Sequence, residues 1–308
     1  MRADRTKESD KTYTLAGRPV EAPRLAAGLH IVATPIGNLR DITLRALETL
    51  AAADLIACED TRITRRLLDH YGITTPLTPY HEHNATAARP KLIARLAAGE
   101  AVALVSDAGT PLISDPGFKL AREARNAGHV VTALPGPSAT LAALASAGLP
   151  TDRFFFEGFL PAKEGQRRSR IAELARLPST LILFESGPRL PRALADLAAG
   201  LGPREAAVCR ELTKLHEEIR RGDLAELAKA YAEGAETRGE IVIVIAPPAA
   251  DADALDEGEV DALLRSALDR VSVKDAVSEV ASATGRPRRE IYQRALALTG
   301  GADDGAAR

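Results

Sequence analysis

The sequence predicts an α/β protein made of two α/β domains and a small helical C-terminal segment. Three observations carry that expectation. Short apolar runs alternate with stretches of helical spacing, which implies strands joined by helical crossovers and largely parallel pairing. One run, IVIVIA (241–246), lacks polar alternation, as suits a strand covered on both faces. The early runs end in turns rich in Gly and Pro together, where an ordinary turn needs only one of them.

In chain order, residues 1–27 hold ten charged residues and little apolar pattern, and read as a disordered extension. Apolar runs begin at LHIVA (29–33). They recur at DLIAC (54–58), AVALV (101–105), VVTAL (130–134), TLILF (180–184), AAVC (206–209) and IVIVIA. Between the first two, DITLRALETLAAA sets Leu44, Leu47 and Ala51 on one helical face, with Asp41 placed to cap its start. RPKLIARLAAG and GFKLAREARNAG close on Gly99 and Gly128, where a helix commonly terminates. The alternation breaks over residues 135–160, which are rich in Pro, Gly and small side chains. That break divides a first domain (28–150) from a second (151–248). AADADALDEGE (249–259) has five acidic and no basic residues and reads as a solvated linker, followed by a helical segment (260–300) and a tail (301–308).

Bulk properties exclude several classes. With 40 basic and 42 acidic residues in 308, the chain is no general polycation, although a local basic patch is compatible with that balance. Cys58 and Cys209 lie far apart, outside any CxxC or Cys/His spacing, so they read as buried free thiols in a reducing compartment, with no metal. No apolar stretch reaches the ~18–20 residues that span a bilayer, and the N-terminus lacks an apolar signal core. A soluble, cytoplasmic protein without membrane contact is expected.

Three turns carry the chemical interest. ATPIGNLRD (33–41) follows the first strand, SDAGTPLISDPG (106–117) follows AVALV, and PGPSAT (135–140) follows VVTAL. Neither GxGxxG nor GxxxxGK[ST] is present, so a standard dinucleotide fold and a P-loop are unsupported. Each turn alone is compatible with plain structural punctuation. Three at successive strand ends would face one crevice, because open parallel sheets bind ligands at their carboxyl edge. Gly109 then lets main chain approach a ligand, Pro111 and Pro116 stiffen the turn, and Asp107 supplies an anion.

ATPIGNLRDIT, AADLIACEDTR, SDAGTPLISDPG, PGPSA, ESGPR and RELTK together resemble the ribosomal RNA small subunit methyltransferase I family, a branch of the tetrapyrrole methylase fold. The resemblance runs from about Leu29 to Ala246, with a further match in the C-terminal segment; residues 1–27 have no part in it. It implies a methyltransferase that uses S-adenosylmethionine, binds it in a cleft between two α/β domains, and is usually a homodimer. The implied substrate is a cytidine in the decoding region of small-subunit (16S) ribosomal RNA, free or within the 30S subunit, methylated on its ribose 2′ oxygen. By resemblance the cofactor touches Pro35, Ile36, Ser106, Asp107, Ala108, Gly109, Thr110, Ser138, Ala139 and main chain near Phe184 and Leu212. Gly187-Pro188 departs from the family's usual pair after ES.

The proton acceptor is left open by the sequence among Glu59 and Asp60, His83 in YHEHN, and Glu185. Glu59 and Asp60 also read as helix N-terminal residues. For RNA contact the candidates are Arg62, the basic run KEGQRRSR with Lys163, Arg167 and Arg168, and Arg288 and Arg289 in GRPRRE. In the tail, a helix with Ala276, Val277 and Val280, a turn at Gly285 and a helix with Ile291, Ala295 and Leu298 resemble a helix-turn-helix. A packing hairpin or dimer contact fits that tail equally. Two other readings of the whole chain stay open: a C-methyltransferase of tetrapyrroles, and a non-catalytic ribosome assembly factor on the same fold.

Overall fold

The computed structural model describes residues 11–115, 117–234, 237–249, 257–284 and 286–300. Pro116, Gly285, most of the acidic stretch and the tail from residue 301 lie outside the described residues. The chain forms two compact units, residues 1–247 and 248–308, each described by itself.

The first unit opens with a hairpin, β1 (Thr12–Leu15) and β2 (Arg18–Glu21), paired antiparallel. This corrects the expectation of disorder through residue 27; residues 1–10 lie outside the described residues. Charge density hid an anchored segment. Tyr13 is buried in the same cluster as Leu47, Leu50 and Leu68, and Lys11 Nζ donates to the carbonyls of Ala52 and Ala53 at 2.8 Å.

A five-stranded sheet follows. Its elements are β3 (Gly28–Val32), α1 (Leu44–Ala52), β4 (Leu55–Cys58), α2 (Thr61–His70), β5 (Leu77–Pro79), α3 (Ala85–Ala97), β6 (Ala101–Val105), α4 (Phe118–Asn126) and β7 (Val131–Leu134). The order is β5-β4-β6-β3-β7 and every pairing is parallel, as helical crossovers require. Residues of β3 and β6 are buried on both faces, so alternate side chains feed two separate core clusters. The cap of α1 is Thr43, whose hydroxyl accepts from Ala46 N at 3.1 Å, rather than Asp41, which lies in a short 3₁₀ turn (Leu39–Asp41).

The chain continues through α5 (Ala139–Ala147), β8 (Phe154–Phe159), α6 (Glu164–Leu174), β9 (Thr180–Ser186), α7 (Leu190–Leu201), β10 (Glu205–Arg210), β11 (Glu218–Asp223), α8 (Leu224–Glu233) and β12 (Glu240–Ile245). This second sheet has the order β11-β10-β12-β9-β8, and only β8–β9 is parallel. The expectation of largely parallel pairing therefore fails here. The loop between β10 and β11 is too short for a crossover, and β12 enters between β9 and β10 running against both. The helix α5 precedes the sequence boundary near residue 150, yet Ala143, Leu144 and Ala147 pack with Ile182, Ala207 and Val244 of the second sheet. It ties the two sheets into one unit.

In the second unit three helices, α9 (Glu257–Leu268), α10 (Val273–Thr284) and α11 (Arg288–Gly300), enclose Val260, Leu264, Ala276, Val277, Val280, Ile291 and Ala295. The end of the expected acidic linker is thus the first turn of α9. There Glu257 and Glu259 face the positive end of the helix dipole.

Candidate active site

Parallel pairing places the turns after β3, β4, β6 and β7 at one edge of the first sheet. A cleft of about 230 Å³ opens there against the second sheet. From the first sheet it takes Ile36, residues 108–110 and 113–115, and residues 138–140. From the second it takes Phe159, Phe184, Glu185, Cys209, Leu212 and residues 240–242. None of these lining residues is Lys or Arg, whereas Asp115, Glu185 and Glu240 are carboxylates. Two of these are ion-paired, Glu185 with Arg189 and Glu240 with Lys214, so Asp115 is the carboxylate that the otherwise apolar slot offers to a cation.

Local backbone explains why these side chains arrive together. Gly109 N–H donates to Thr34 O and Gly109 O accepts from Thr34 N, both at 2.9 Å, so the turns after β3 and β6 are joined by a two-bond bridge. Gly109 has φ +76°, and an added Cβ would meet Ile36 Cγ2 at 3.3 Å. A glycine is required there, and its N–H and C=O are both engaged in the bridge. Beyond it Leu112 and Ser114 hold left-handed backbone, φ +75° and +62°, and so do Glu211 and Thr213 in RELTK, φ +50° and +66°. Each costs on the order of 1–2 kcal/mol in an L-residue, and such strain gathers at functional sites.

RELTK is locked across β12. Glu211 N donates to Glu240 O at 2.9 Å, and Lys214 Nζ bridges Glu211 Oε1 (2.8 Å) and Glu240 Oε2 (2.9 Å). That clamp aims the buried Leu212 into the cleft. The opposite wall is aromatic, with Phe184 meeting Phe156 and Phe159 edge to face at 5.0 and 5.7 Å between centroids. Ser138 caps α5, its hydroxyl accepting from Leu141 N, so the first N–H groups of that helix lie at the cleft. Glu185 is buried; its Oε1 accepts from Ser186 N at 2.8 Å and pairs with Arg189 at 3.1 Å.

Of the cofactor residues expected from sequence, the cleft gathers Ile36, Ala108, Gly109, Thr110, Ser138, Ala139, Phe184 and Leu212. Pro35, Ser106 and Asp107 line a neighbouring groove instead. Asp60 is the N-cap of α2, accepting from Arg62 N at 2.8 Å, and is gripped by the Arg62 guanidinium at 2.6 Å. Those bonds hold its carboxyl at about 2, which makes it a weak base and a structural group. Burial, together with Asp107, Asp115 and Asp60, pushes Glu59 up. His83 is exposed beyond the edge strand β5 and touches His81 edge to face. Cys209 lines the cleft as a buried thiol pushed up to about 11 by burial.

The basic run KEGQRRSR needs a correction. Arg167 is buried, with Nε donating to Asp196 Oδ2 at 2.7 Å and a terminal nitrogen donating to Ala162 O at 3.1 Å. Its charge is spent inside the protein and is withdrawn from RNA contact. Lys163 and Arg168 stay exposed, although Arg168 pairs with Glu164 and Asp196. In the second unit Arg288 and Arg289 are exposed on the first turn of α11.

Comparison with known proteins settles the family. Residues 28–228 match the model for Tetrapyrrole (Corrin/Porphyrin) Methylases, and residues 249–299 match that for the RsmI C-terminal HTH domain. A protein of Mesorhizobium japonicum named ribosomal RNA small subunit methyltransferase I is 53% identical over 93% of this chain and 98% of its own length. Its namesake in Pseudomonas aeruginosa is 46% identical over 89% and 99%. The chain belongs to the ribosomal RNA small subunit methyltransferase I family. Among solved structures, diphthine synthase superposes with a TM-score of 0.55 at 18% identity, over 71% of this chain and 89% of its own. Uroporphyrin-III C-methyltransferase from Thermus thermophilus, complexed with S-adenosylhomocysteine, gives 0.51 at 19% identity, over 70% and 96%. These two share the fold.

In this member of the ribosomal RNA small subunit methyltransferase I family the second unit holds three helices where the sequence pattern alone suggests two. Ile113 and Asp115 line the cleft from within SDAGTPLISDPG, where residue type alone does not mark them out. Phe159 and Val242 carried weaker signals. FFFEGF reads as part of the domain junction, and a wholly apolar IVIVIA does not declare which face meets a cleft.

Proposed function

We propose that the protein transfers a methyl group from S-adenosylmethionine to the ribose 2′ oxygen of a cytidine in the decoding region of 16S ribosomal RNA. On this reading it acts in the cytoplasm, as a homodimer, on the RNA or the 30S subunit. The observation that carries the reading is the cleft: an aromatic and aliphatic slot edged by carboxylates, without Lys or Arg in its lining, in a chain of this family. The residues fit that donor. Phe159 and Phe184 offer faces and edges for an adenine, Asp115 favours a cationic group, and the start of α5 offers N–H groups to a carboxylate.

When bound, S-adenosylmethionine supplies an electrophilic methyl on a positively charged sulfur. The chain's residues do the rest. The Thr34–Gly109 bridge and the Lys214 clamp keep the walls of the slot in register. Holding two reactants in line is worth about 7–11 kcal/mol of barrier. Lys163, Arg62, Arg168, Arg288 and Arg289 are the proposed phosphate contacts, which place RNA without reading its sequence.

The test is incubation with radiolabelled S-adenosylmethionine and either undermethylated small subunits or a precursor tetrapyrrole, followed by mass mapping of the RNA. A methyl on one cytidine ribose is expected. Label confined to the macrocycle, or RNA binding without any saturable affinity for S-adenosylmethionine, would overturn the proposal.

A further inference from the structure

The turns after β3 and β6 face two cavities. Ile36 and Ala108 line the cleft, while their chain neighbours Pro35 and Asp107 line a separate groove of about 220 Å³. On its far side the groove is walled by α2 and the 3₁₀ turn, with Leu39, Ile63, Thr64 and Arg66. Its character differs from that of the cleft. Leu39 and Ile63 are large apolar side chains left 38% and 42% exposed. Arg66 is exposed and makes no ion pair among the described residues. The Thr64 hydroxyl is buried against the Cys58 thiol. An apolar shelf beside an available guanidinium suits a nucleoside with its phosphate.

Four carboxylates gather at this edge, and their surroundings separate them. Asp60 is held ionised by its cap bond and Arg62. Asp115 lines the cleft, and Glu59 lines neither cavity. Asp107 alone of the four lines the groove, and its Oδ1 accepts from Asp60 N at 2.9 Å, which fixes the direction of the carboxylate.

We propose that this groove is the acceptor subsite, taking the target nucleoside of a single-stranded RNA segment, and that Asp107 is the catalytic residue that receives the ribose hydroxyl proton. The inference rests on the methyltransferase reading of the adjoining cleft. In the step, the O–H bond breaks and its proton goes to Asp107. The oxygen forms the new O–CH₃ bond as the methyl–sulfur bond breaks, and the sulfur leaves as a neutral thioether. One cation and one anion are consumed and charge balances. Burial pushes the Asp107 carboxyl up, the Asp60 amide pulls it down, and the Asp60 charge adds to the rise. The net upward shift makes it a better base than an ordinary carboxylate.

The test uses the full-length protein with Asp107→Asn, in which an amide oxygen can still accept from Asp60 N. Affinity for S-adenosylmethionine, measured by calorimetry, is expected to stay at the wild-type value. The single-turnover rate on small subunits is expected to fall by about 10²–10⁴-fold. The wild-type rate should rise with pH as Asp107 loses its proton and then level off, and the variant should lose that rise. Loss of S-adenosylmethionine binding in a folded variant would place Asp107 on the donor side and overturn the proposal, as would an undiminished rate. Ile63→Glu tests the groove separately: particle affinity about tenfold weaker with donor affinity unchanged is expected, and unchanged particle affinity refutes the subsite. If wild-type protein binds no S-adenosylmethionine, the methyltransferase reading itself fails, a result distinct from any of these.

Discussion

Replacing Asp196 by Ala is expected to destabilise the first unit strongly without touching RNA affinity. The side chains of Arg167 and Asp196 are each 9% exposed and meet at 2.5 Å through a terminal nitrogen of Arg167. Removing one partner of a buried pair leaves the other charge uncompensated, at a cost of about 3–5 kcal/mol. Arg168 is 65% exposed, so its share of the interaction is screened by solvent and the buried Arg167 carries the effect. In a protein of this size the loss corresponds to a drop in Tm of about 6–20 °C. Urea unfolding followed by circular dichroism measures it, and Arg167→Met with Asp196→Leu should recover most of the stability by replacing the pair with apolar volume. Burial alone would raise the Asp196 carboxyl, but hydrogen bonds from Arg168 and Arg167 hold it below its ordinary value. Its contribution is therefore present above the unfolded carboxylate pKa and is lost as pH falls through the lower folded one. The reasoning is refuted if Asp196→Ala leaves the urea midpoint in place while Arg167→Met weakens RNA binding and flattens its salt dependence, the signature of a phosphate contact.

Three further outcomes follow from the structure. Gly109→Ala forces a side chain onto φ +76° against Ile36 and is expected to cost about 1–2 kcal/mol. Because Ile36 lines the cleft, the thermal shift induced by S-adenosylmethionine should also shrink; an unaltered shift would separate the bridge from donor binding. Arg288→Ala and Arg289→Ala should each lower the salt slope of RNA binding by about one while donor affinity is unchanged, and an unchanged slope removes α11 from the interface. Tyr13→Ala should cost about 3 kcal/mol in urea unfolding, because the ring is buried against α1; a cost near zero would return the hairpin to the status of a loose extension.

Much of the site was legible because its residues sit in contiguous turns. SDAGTPLISDPG follows a strand, and its mixture of Gly and Pro betrayed a backbone that had to be unusual. That mixture marks the turn, while Ile36, Thr110 and Ser138 themselves come from the family resemblance. Asp60 was legible only as an ambiguity between capping and catalysis, which its bonds to Arg62 resolve in favour of the cap. Arg167 shows the opposite failure. KEGQRRSR reads as a basic surface, and nothing in the run says that Asp196, 29 positions away, takes one arginine inside. The hairpin at Thr12–Glu21 was concealed in the same way, since its apolar partners come from α1 and α2.

The sequence by itself determined the alternation of strands and helices and the positions of the ligand-type turns, and its motifs carried the resemblance to the family. The first two are properties of short segments, set by local dihedral preference and by side-chain periodicity. The tertiary structure alone decided which cavity each residue of a turn faces, how the second sheet is paired, and which charges are spent within the fold. Pro35 and Ile36 are adjacent in the chain and lie in different cavities. Strand direction in the second sheet depends on where β12 inserts, and the fate of a guanidinium depends on the carboxylate that folding brings to it. Those are relations between distant segments, and only packing can settle them.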